Sequence, residues 1–460
     1  MATAKETSLF IPQLTMFLLF FGFSVILTAT QLMVLNKTCL SNGYDRDVCE
    51  HMHQHPDVED KVQTKAARFT FAVPILAFIP AAFMTLVLGP LSDIYGRKKI
   101  LLIPVITGAI SALGMLIQSQ QLDLSPVLIY GACSFIGFGG GLGTFVSTLI
   151  SYVTDSTLPE HRTERLSMLL PFLALGQTVG TLCSGILWEQ TGAPVMFILA
   201  FLGNIIIIIS LLFLEESSRK EDDNKDHGHA LSVTGLFKSA TAGWRVVSAP
   251  RQNGRRRKLL MLLIVGPAAI FFNAGDVSVV SLSTRRPPFQ WTPSTLSYFS
   301  ASKMVAQVLG TALLVPLYNK ITGSKTIQGD LSVMYVCFST AALQCLVMIV
   351  ATSSSHLLIV PFLFASIGAV GPVTRSLASK LVKPSEIGAL NGFVSFLNNM
   401  AAAVGSSLTV SLYTNTVHTF PAAAFLAIMF VLIGSFIIVL VLKRDYREFP
   451  AETDDGKKAD

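Results

Sequence analysis

The chain has 460 residues, of which 51% are hydrophobic and only 13% charged, and its formal net charge is +6. A soluble domain averages about 25% charged residues, so a water-soluble globule of this composition would lack polar surface, and lipid must solvate much of the chain. The excess of Lys and Arg is distributed as a topological signal between apolar stretches and gives no case for nucleic-acid binding.

A helix needs roughly 20 apolar residues to cross the hydrocarbon core. Twelve such stretches follow one another, over 10–35, 68–88, 100–119, 126–153, 166–187, 194–214, 259–280, 294–317, 329–351, 357–379, 388–412 and 420–442. The pattern predicts an all-α membrane protein with twelve transmembrane helices. The first stretch is longer than a signal-peptide core and shows no small-residue cleavage site, so it is expected to remain as the first span. Lys and Arg concentrate on one side, in Arg97-Lys98-Lys99, Arg162 and Arg165, the segment 215–258 and the tail 443–460. The opposite side carries few, among them Lys37, Arg46, Lys61, Lys65, Arg285 and Arg286. The bias predicts that both termini are cytoplasmic.

Between the first two spans lies an outer loop, 36–67. It holds Cys39 and Cys49, read as one local disulfide on the side where disulfides survive. Cys133, Cys183, Cys337 and Cys345 fall in apolar stretches and read as packing residues. Asn36-Lys37-Thr38 is a glycosylation sequon, so Asn36 is a candidate acceptor. His51, His53 and His55 alternate in the same loop without a matching set of Cys or carboxylates; they read as solvated, and no metal is expected.

The spans divide six and six around 215–258, a polar cytoplasmic segment. It opens on a charged run from Glu215 to Asp226 and closes on Arg255-Arg256-Arg257-Lys258, either a positive-inside anchor or a contact for anionic lipid heads. The halves are thus 1–214 and 259–442, with a tail at 443–460. A weak repeat supports duplication: Pro90-Leu91-Ser92-Asp93 after the second span, and Pro316-Leu317-Tyr318-Asn319 at the end of the eighth. In the tail, Tyr446-Arg447-Glu448-Phe449 has the form of an endocytic sorting signal.

The most specific motif is Gly89-Pro90-Leu91-Ser92-Asp93-Ile94-Tyr95-Gly96-Arg97-Lys98-Lys99. It resembles, in spacing and position, the signature that the major facilitator superfamily carries between its second and third spans. The resemblance implies the major facilitator fold and transport by alternating access. It also implies a gate made by Gly89, Asp93, Gly96 and Arg97, with Arg97 paired to an acid at the end of the fourth span, here Asp155.

A closer resemblance is spread along the chain, in Val62-Gln63-Thr64-Lys65-Ala66-Ala67-Arg68-Phe69, in Phe138-Gly139-Gly140-Gly141 with Tyr152-Val153-Thr154-Asp155, and in Gly371-Pro372-Val373-Thr374-Arg375 through Leu390. It is similar to solute carrier family 46, the family of the proton-coupled folate transporter. That resemblance implies a bulky organic anion as substrate and a proton as a possible coupling ion. Two departures separate this chain from the folate transporter: Pro171 stands at the place of a fifth-span Glu, and Phe271 at that of a seventh-span His. The loop 281–293 lacks the Cys to which that family ties its outer loop, leaving Cys39 and Cys49 for each other.

Ionisable residues at membrane depth are functional candidates by default. Lys303 lies about 14 Å into the eighth span at 1.5 Å per residue. It is read as a contact for an anionic substrate or coupling ion, as a partner of Asp276 in the seventh span, or as a snorkelling cation. Arg375 in the tenth span is a second candidate contact. Tyr298, Gln307, Gln31 and Asn391, with Gln177, Asn398 and Asn399, are polar residues that line a cavity or join helices. No nucleophile–base set points to an enzyme, and no cofactor is expected beyond a coupling proton. The rival class is a non-transporting receptor or scaffold. The expected partners are a small organic anion and the bilayer, with the chain as monomer or homodimer. The expected site is the plasma membrane, with an endosomal or lysosomal membrane as alternative.

Overall fold

The computed structural model describes residues 2–50, 55–121, 124–157, 162–216, 233–251, 254–322, 327–383 and 386–448, and every regular element among them is helical. In the first half these are α1 (Ala2–Ser41), α2 (Arg46–Glu50), α3 (Pro56–Tyr95), α4 (Arg97–Gln120), α5 (Leu128–Phe138), α6 (Gly141–Ser156), α7 (Arg162–Thr191) and α8 (Ala193–Leu212). After α9 (Val233–Ser248) come α10 (Arg255–Ser283), α11 (Pro293–Thr322), α12 (Ile327–Val350), α13 (Val360–Phe364), α14 (Val370–Ser379), α15 (Ile387–Thr416) and α16 (Ala423–Glu448).

Eleven spans among the described residues are long and apolar enough to cross a membrane. The eighth expected stretch, α11, forms a helix of 30 residues but is not one of the eleven. Its first half carries Ser294, Thr295, Ser297, Tyr298, Ser300, Ser302 and Lys303, its neighbours are α7 and α12, and the side chains of its inner end, 314–322, lie outside the described residues. Helix α4 shows what lipid selects on a span: Ile106, Ile110, Leu113 and Ile117 form an exposed stripe, and Leu101, Val105, Ala112 and Met115 are buried behind it. Both faces are apolar, so burial here follows shape and not polarity.

Each half packs around its own apolar cores. Across the seam, α3 lies against α15 and α7 against α11. The outer end of the seam is closed by hydrogen bonds between the halves. Arg286 Nε donates to Gln63 Oε1 at 2.9 Å, Ser281 Oγ to Gln31 Oε1 at 3.2 Å, and Ser407 Oγ to the Phe71 carbonyl at 2.8 Å. Glu189 accepts from the Ser294 backbone N–H at 2.9 Å and from its hydroxyl at 2.6 Å.

The fourth and tenth spans, expected as continuous helices, are both interrupted. The fourth breaks between α5 and α6, where Gly140 takes φ +80° and Gly141 φ +56°. A Cβ on Gly139 would stand 1.9 Å from Thr107 Oγ1, so only glycine lets this bend touch α4. The tenth runs as a 3₁₀ turn Ser354–Ile359, α13, a second 3₁₀ turn Ile367–Ala369, and α14. There a Cβ on Gly310 of α11 would fall 2.2 Å from the Ala365 carbonyl oxygen, and one on Gly368 would fall 2.4 Å from Thr311 Oγ1. Non-helical backbone at membrane depth survives only where protein covers it, and these contacts provide the cover.

The loop 36–67 is more helical than expected. Helices α1 and α3 have 40 residues each, about 60 Å at 1.5 Å per residue, so their outer ends project beyond the core. The Cys39–Cys49 disulfide joins α1 to α2 with 5.7 Å between Cα atoms. The sequon lies inside α1, and not in the accessible loop that a glycan acceptor needs. Thr38 is buried with its hydroxyl donating to the Val34 carbonyl at 2.7 Å, and Lys37 is buried with its ammonium on Gln118 Oε1 and on the carbonyls of Gln121 and Leu124. His51 and His53 lie outside the described residues; His55 immediately precedes α3.

On the inner face the central segment is not wholly irregular. Helix α9 packs on α15, with Gly243 against Phe393 and Trp244 6.3 Å from the Phe393 ring, and it also touches α3. Arg251 fastens the end of this segment, donating to Glu386 at 2.8 Å and to the Leu381 carbonyl at 3.2 Å. That hydrogen bond holds the Glu386 carboxyl below the usual carboxylate range. The charged run from Ser217 to Asp226 and the tail from Phe449 lie outside the described residues. Tyr446, expected as the head of a sorting signal, is helical and buried, with the Lys258 ammonium 4.2 Å from its ring centroid. A signal read as an extended peptide has no such access, so the helix overturns that reading.

Gly140→Ala should destabilise the protein by about 1–3 kcal/mol, the cost of a forced left-handed conformation, with a collision against Thr144 added. Thermal unfolding of the purified protein in detergent checks this, and an unchanged midpoint would refute it.

Candidate functional site

Three helices of the second half meet around a charge. Lys303 from α11 and Asp276 from α10 are 3% and 1% exposed, and the ammonium donates to Asp276 Oδ2. The other carboxylate oxygen accepts from Gln344 Nε2 of α12 at 2.9 Å. The Phe364 ring of the interrupted tenth span covers Lys303, with Nζ 4.4 Å from its centroid. Burial makes both ions costly, and the pair is tolerable because each is matched and hydrogen-bonded. Of the roles open to Lys303, the geometry supports pairing with Asp276. The sequence reading missed Gln344, whose only signal was an amide in an otherwise apolar stretch.

Arg375 is in a different situation. It is exposed on α14 and makes no hydrogen bond or ion pair with the described residues. The preceding residue, Thr374, packs against Gly266 of α10, so Arg375 lies on a turn anchored to the seventh span. Buried polar atoms without partners sit on nearby elements of both halves: Thr148 Oγ1 on α6, Thr374 Oγ1 on α14, and Asn398 Oδ1 and Asn399 Nδ2 on α15. Such atoms are rare in a finished core and call for water or a ligand. Asn399 also faces Gly143 of α6 across the seam, where a Cβ would come 3.2 Å from its Nδ2.

The remaining candidates are scattered. Gln31 and Gln177 line a cavity of about 90 Å³ between α1, α7, α10 and α11, room for about three waters. Gln307 packs beneath Gly368. Tyr298 is exposed at the outer end of α11, and Asn391 is exposed at the inner end of α15. None of these four expected residues (Gln31, Gln307, Tyr298, Asn391) hydrogen-bonds to the Lys303–Asp276 pair.

Where α3 passes to α4, the motif is assembled. Arg97 Nε meets Asp155 Oδ2 at 3.0 Å, and Arg97 Nη1 donates to Ser92 Oγ at 2.6 Å, which itself donates to the Gly89 carbonyl at 2.6 Å. Asp93 occupies the last turn of α3, and its side chain lies outside the described set. Gly96 has φ +96°, and a Cβ there would fall 2.5 Å from Glu216 Oε1. Glu216 uses that space to accept the Lys98 backbone N–H at 3.0 Å, placing an anion at the positive end of α4. Lys98 Nζ returns to the Leu212 carbonyl at the end of α8 at 2.8 Å. No sequence signal pointed to Glu216, which lies more than a hundred residues downstream.

The model of the Major Facilitator Superfamily matches residues 13–326 and 268–459 of the chain. The lysosomal proton-coupled steroid conjugate and bile acid symporter of Homo sapiens is 27% identical over 379 residues, 80% of this chain and 78% of that protein. The proton-coupled folate transporter of Rattus norvegicus is 25% identical over 429 residues, 88% of this chain and 86% of that one. Among solved structures, the human organic anion transporter MFSD10 superposes with a TM-score of 0.64 at 18% identity, over 94% of this chain and 99% of that one. That likeness concerns the fold.

Two variants probe these geometries. Lys303→Ala strands a buried carboxylate and should cost about 3–5 kcal/mol; adding Asp276→Asn should recover most of it. Melting of both proteins measures this, and a double variant no more stable than the single would contradict the pairing. Arg97→Gln removes the contact to Asp155 and, on the gate that the motif resemblance implies, should cut turnover about tenfold with binding retained. Normal turnover at normal surface level would exclude the gate.

Proposed function

This chain belongs to the major facilitator superfamily, and on that premise we propose that it carries a small organic anion across the membrane by alternating access, through twelve spans with both termini cytoplasmic. It is an integral multi-pass membrane protein, and its relatives are transporters. The observation that carries the anion reading is the contrast between its two membrane-depth cations. Lys303 is neutralised by Asp276. Arg375 is exposed, without a protein acceptor among the described residues. An uncompensated guanidinium in a low-dielectric setting is expensive, and a carboxylate, sulfate or phosphate on a mobile solute compensates it with the bidentate geometry that Arg favours.

The same arrangement supplies a place for a coupling proton. A proton arriving at Asp276 discharges the carboxylate and releases Lys303, and an anion entering beside it restores neutrality. Anion and proton then move together, in keeping with the proton-coupled activity for which the relatives are named. With Pro171 and Phe271 at the two departing positions, Asp276 is the acid left to take this role. Of the two expected addresses, the human relative's lysosomal name favours the endolysosomal membrane over the plasma membrane.

The test is uptake of labelled organic anions into proteoliposomes with and without a pH gradient. Arg375→Gln should lower anion uptake by about a hundredfold, the effect of losing a charged hydrogen-bond partner of about 2–3 kcal/mol, and Arg375→Lys should restore part of it. Anion uptake unchanged by Arg375→Gln, or uptake of neutral analogues as fast as that of the anions, would defeat the anion reading. No uptake of any solute would favour the scaffold alternative.

A further inference from the structure

We propose that the outer face of the second half holds a capture site for amphipathic organic anions, with Arg285 passing them to the cavity between the halves. The site is a cavity of about 600 Å³, lined by Arg285, Arg286, Phe289, Tyr413, Phe420 and Phe425. That volume is within the range of small-molecule sites. Among the described residues its charged lining is two guanidiniums and the carboxylate of Asp57, a net positive balance. Phe420 is 48% exposed, and aromatic faces of this kind receive the apolar body of a ligand whose charged end meets a guanidinium. Arg286 is fixed by its hydrogen bond to Gln63 across the seam, so the wall it forms belongs to the closed outer end.

Arg285 borders two cavities. It lines the outer one and also the space of about 90 Å³ that holds Gln31, Gln177 and Ser281 between the halves. One side chain therefore separates a space that opens outward from one enclosed at the seam. An anion held in the first has its next cationic contact already in place when the outer hydrogen bonds part. This site is distinct from Arg375, which lies towards the inner end of the tenth span, and its meaning as a substrate entry rests on the anion reading above.

The test does not require a known substrate. With a cysteine placed by Ala351→Cys, a residue of the outer lining, a negatively charged sulfonatoethyl methanethiosulfonate should label about tenfold faster than its trimethylammonioethyl counterpart, as expected for a steered approach, each rate taken relative to free thiol. Arg285→Gln should bring that ratio towards unity, and Arg285→Lys should keep it. A ratio indifferent to Arg285→Gln overturns the site. In proteoliposomes Arg285→Gln should raise the half-saturating anion concentration about tenfold from the outer side and leave it unchanged from the inner side, whereas Arg375→Gln weakens both. Equal effects of Arg285→Gln from both sides would place it at a shared central site and overturn the capture role. A wild-type chain that moves no anion yet keeps the reagent preference would sink the transport reading and leave anion capture standing.

Discussion

A lysine and an aspartate share a space from which water is almost wholly excluded, and the second half is organised around keeping them together. Asp276 arrives on α10, Lys303 on α11, Gln344 on α12 and the covering ring of Phe364 on α13. Four consecutive spans are thereby committed to one register, because a turn's displacement of any one would expose an ion to hydrocarbon. Apolar packing cannot set such a register, since lipid competes equally well for apolar side chains. The pair is thus a specificity device as much as a stabilising one.

The interruptions of the fourth and tenth spans follow from the same solvent. Backbone that leaves the helix must find its partners within the protein, so each break presses against a neighbouring helix through a glycine: Gly139 against Thr107, and Gly310 against Ala365. The two breaks take equivalent places in the two halves, which is where transporters of internally repeated architecture bring unwound segments to their binding region. Thr374, Asn398 and Asn399, with their unpartnered polar atoms, are on or beside these elements.

What the sequence made legible was local or strongly patterned. The span positions followed from hydropathy, the Arg97–Asp155 contact from the motif resemblance, and the Cys39–Cys49 bridge from two cysteines ten residues apart in one loop. Long-range partners were not legible. Gln344 and Glu216 look like ordinary residues until folding carries them to Asp276 and Gly96. The helical extension past Asn36 was hidden because a projecting helix outside the membrane need not be apolar. Helix α9 was masked by the charged run before it. Tyr446 shows the reverse error, a four-residue string that matched a signal while its ring was destined for Lys258.

Helix α9 touches α3 of one half and α15 of the other. It therefore bridges the seam between the halves. At Gly243 the two backbones are separated by so little that a Cβ would come within 2.6 Å of Phe393, so the contact has almost no slack in it. A strut mounted across a joint limits how far the joint can swing.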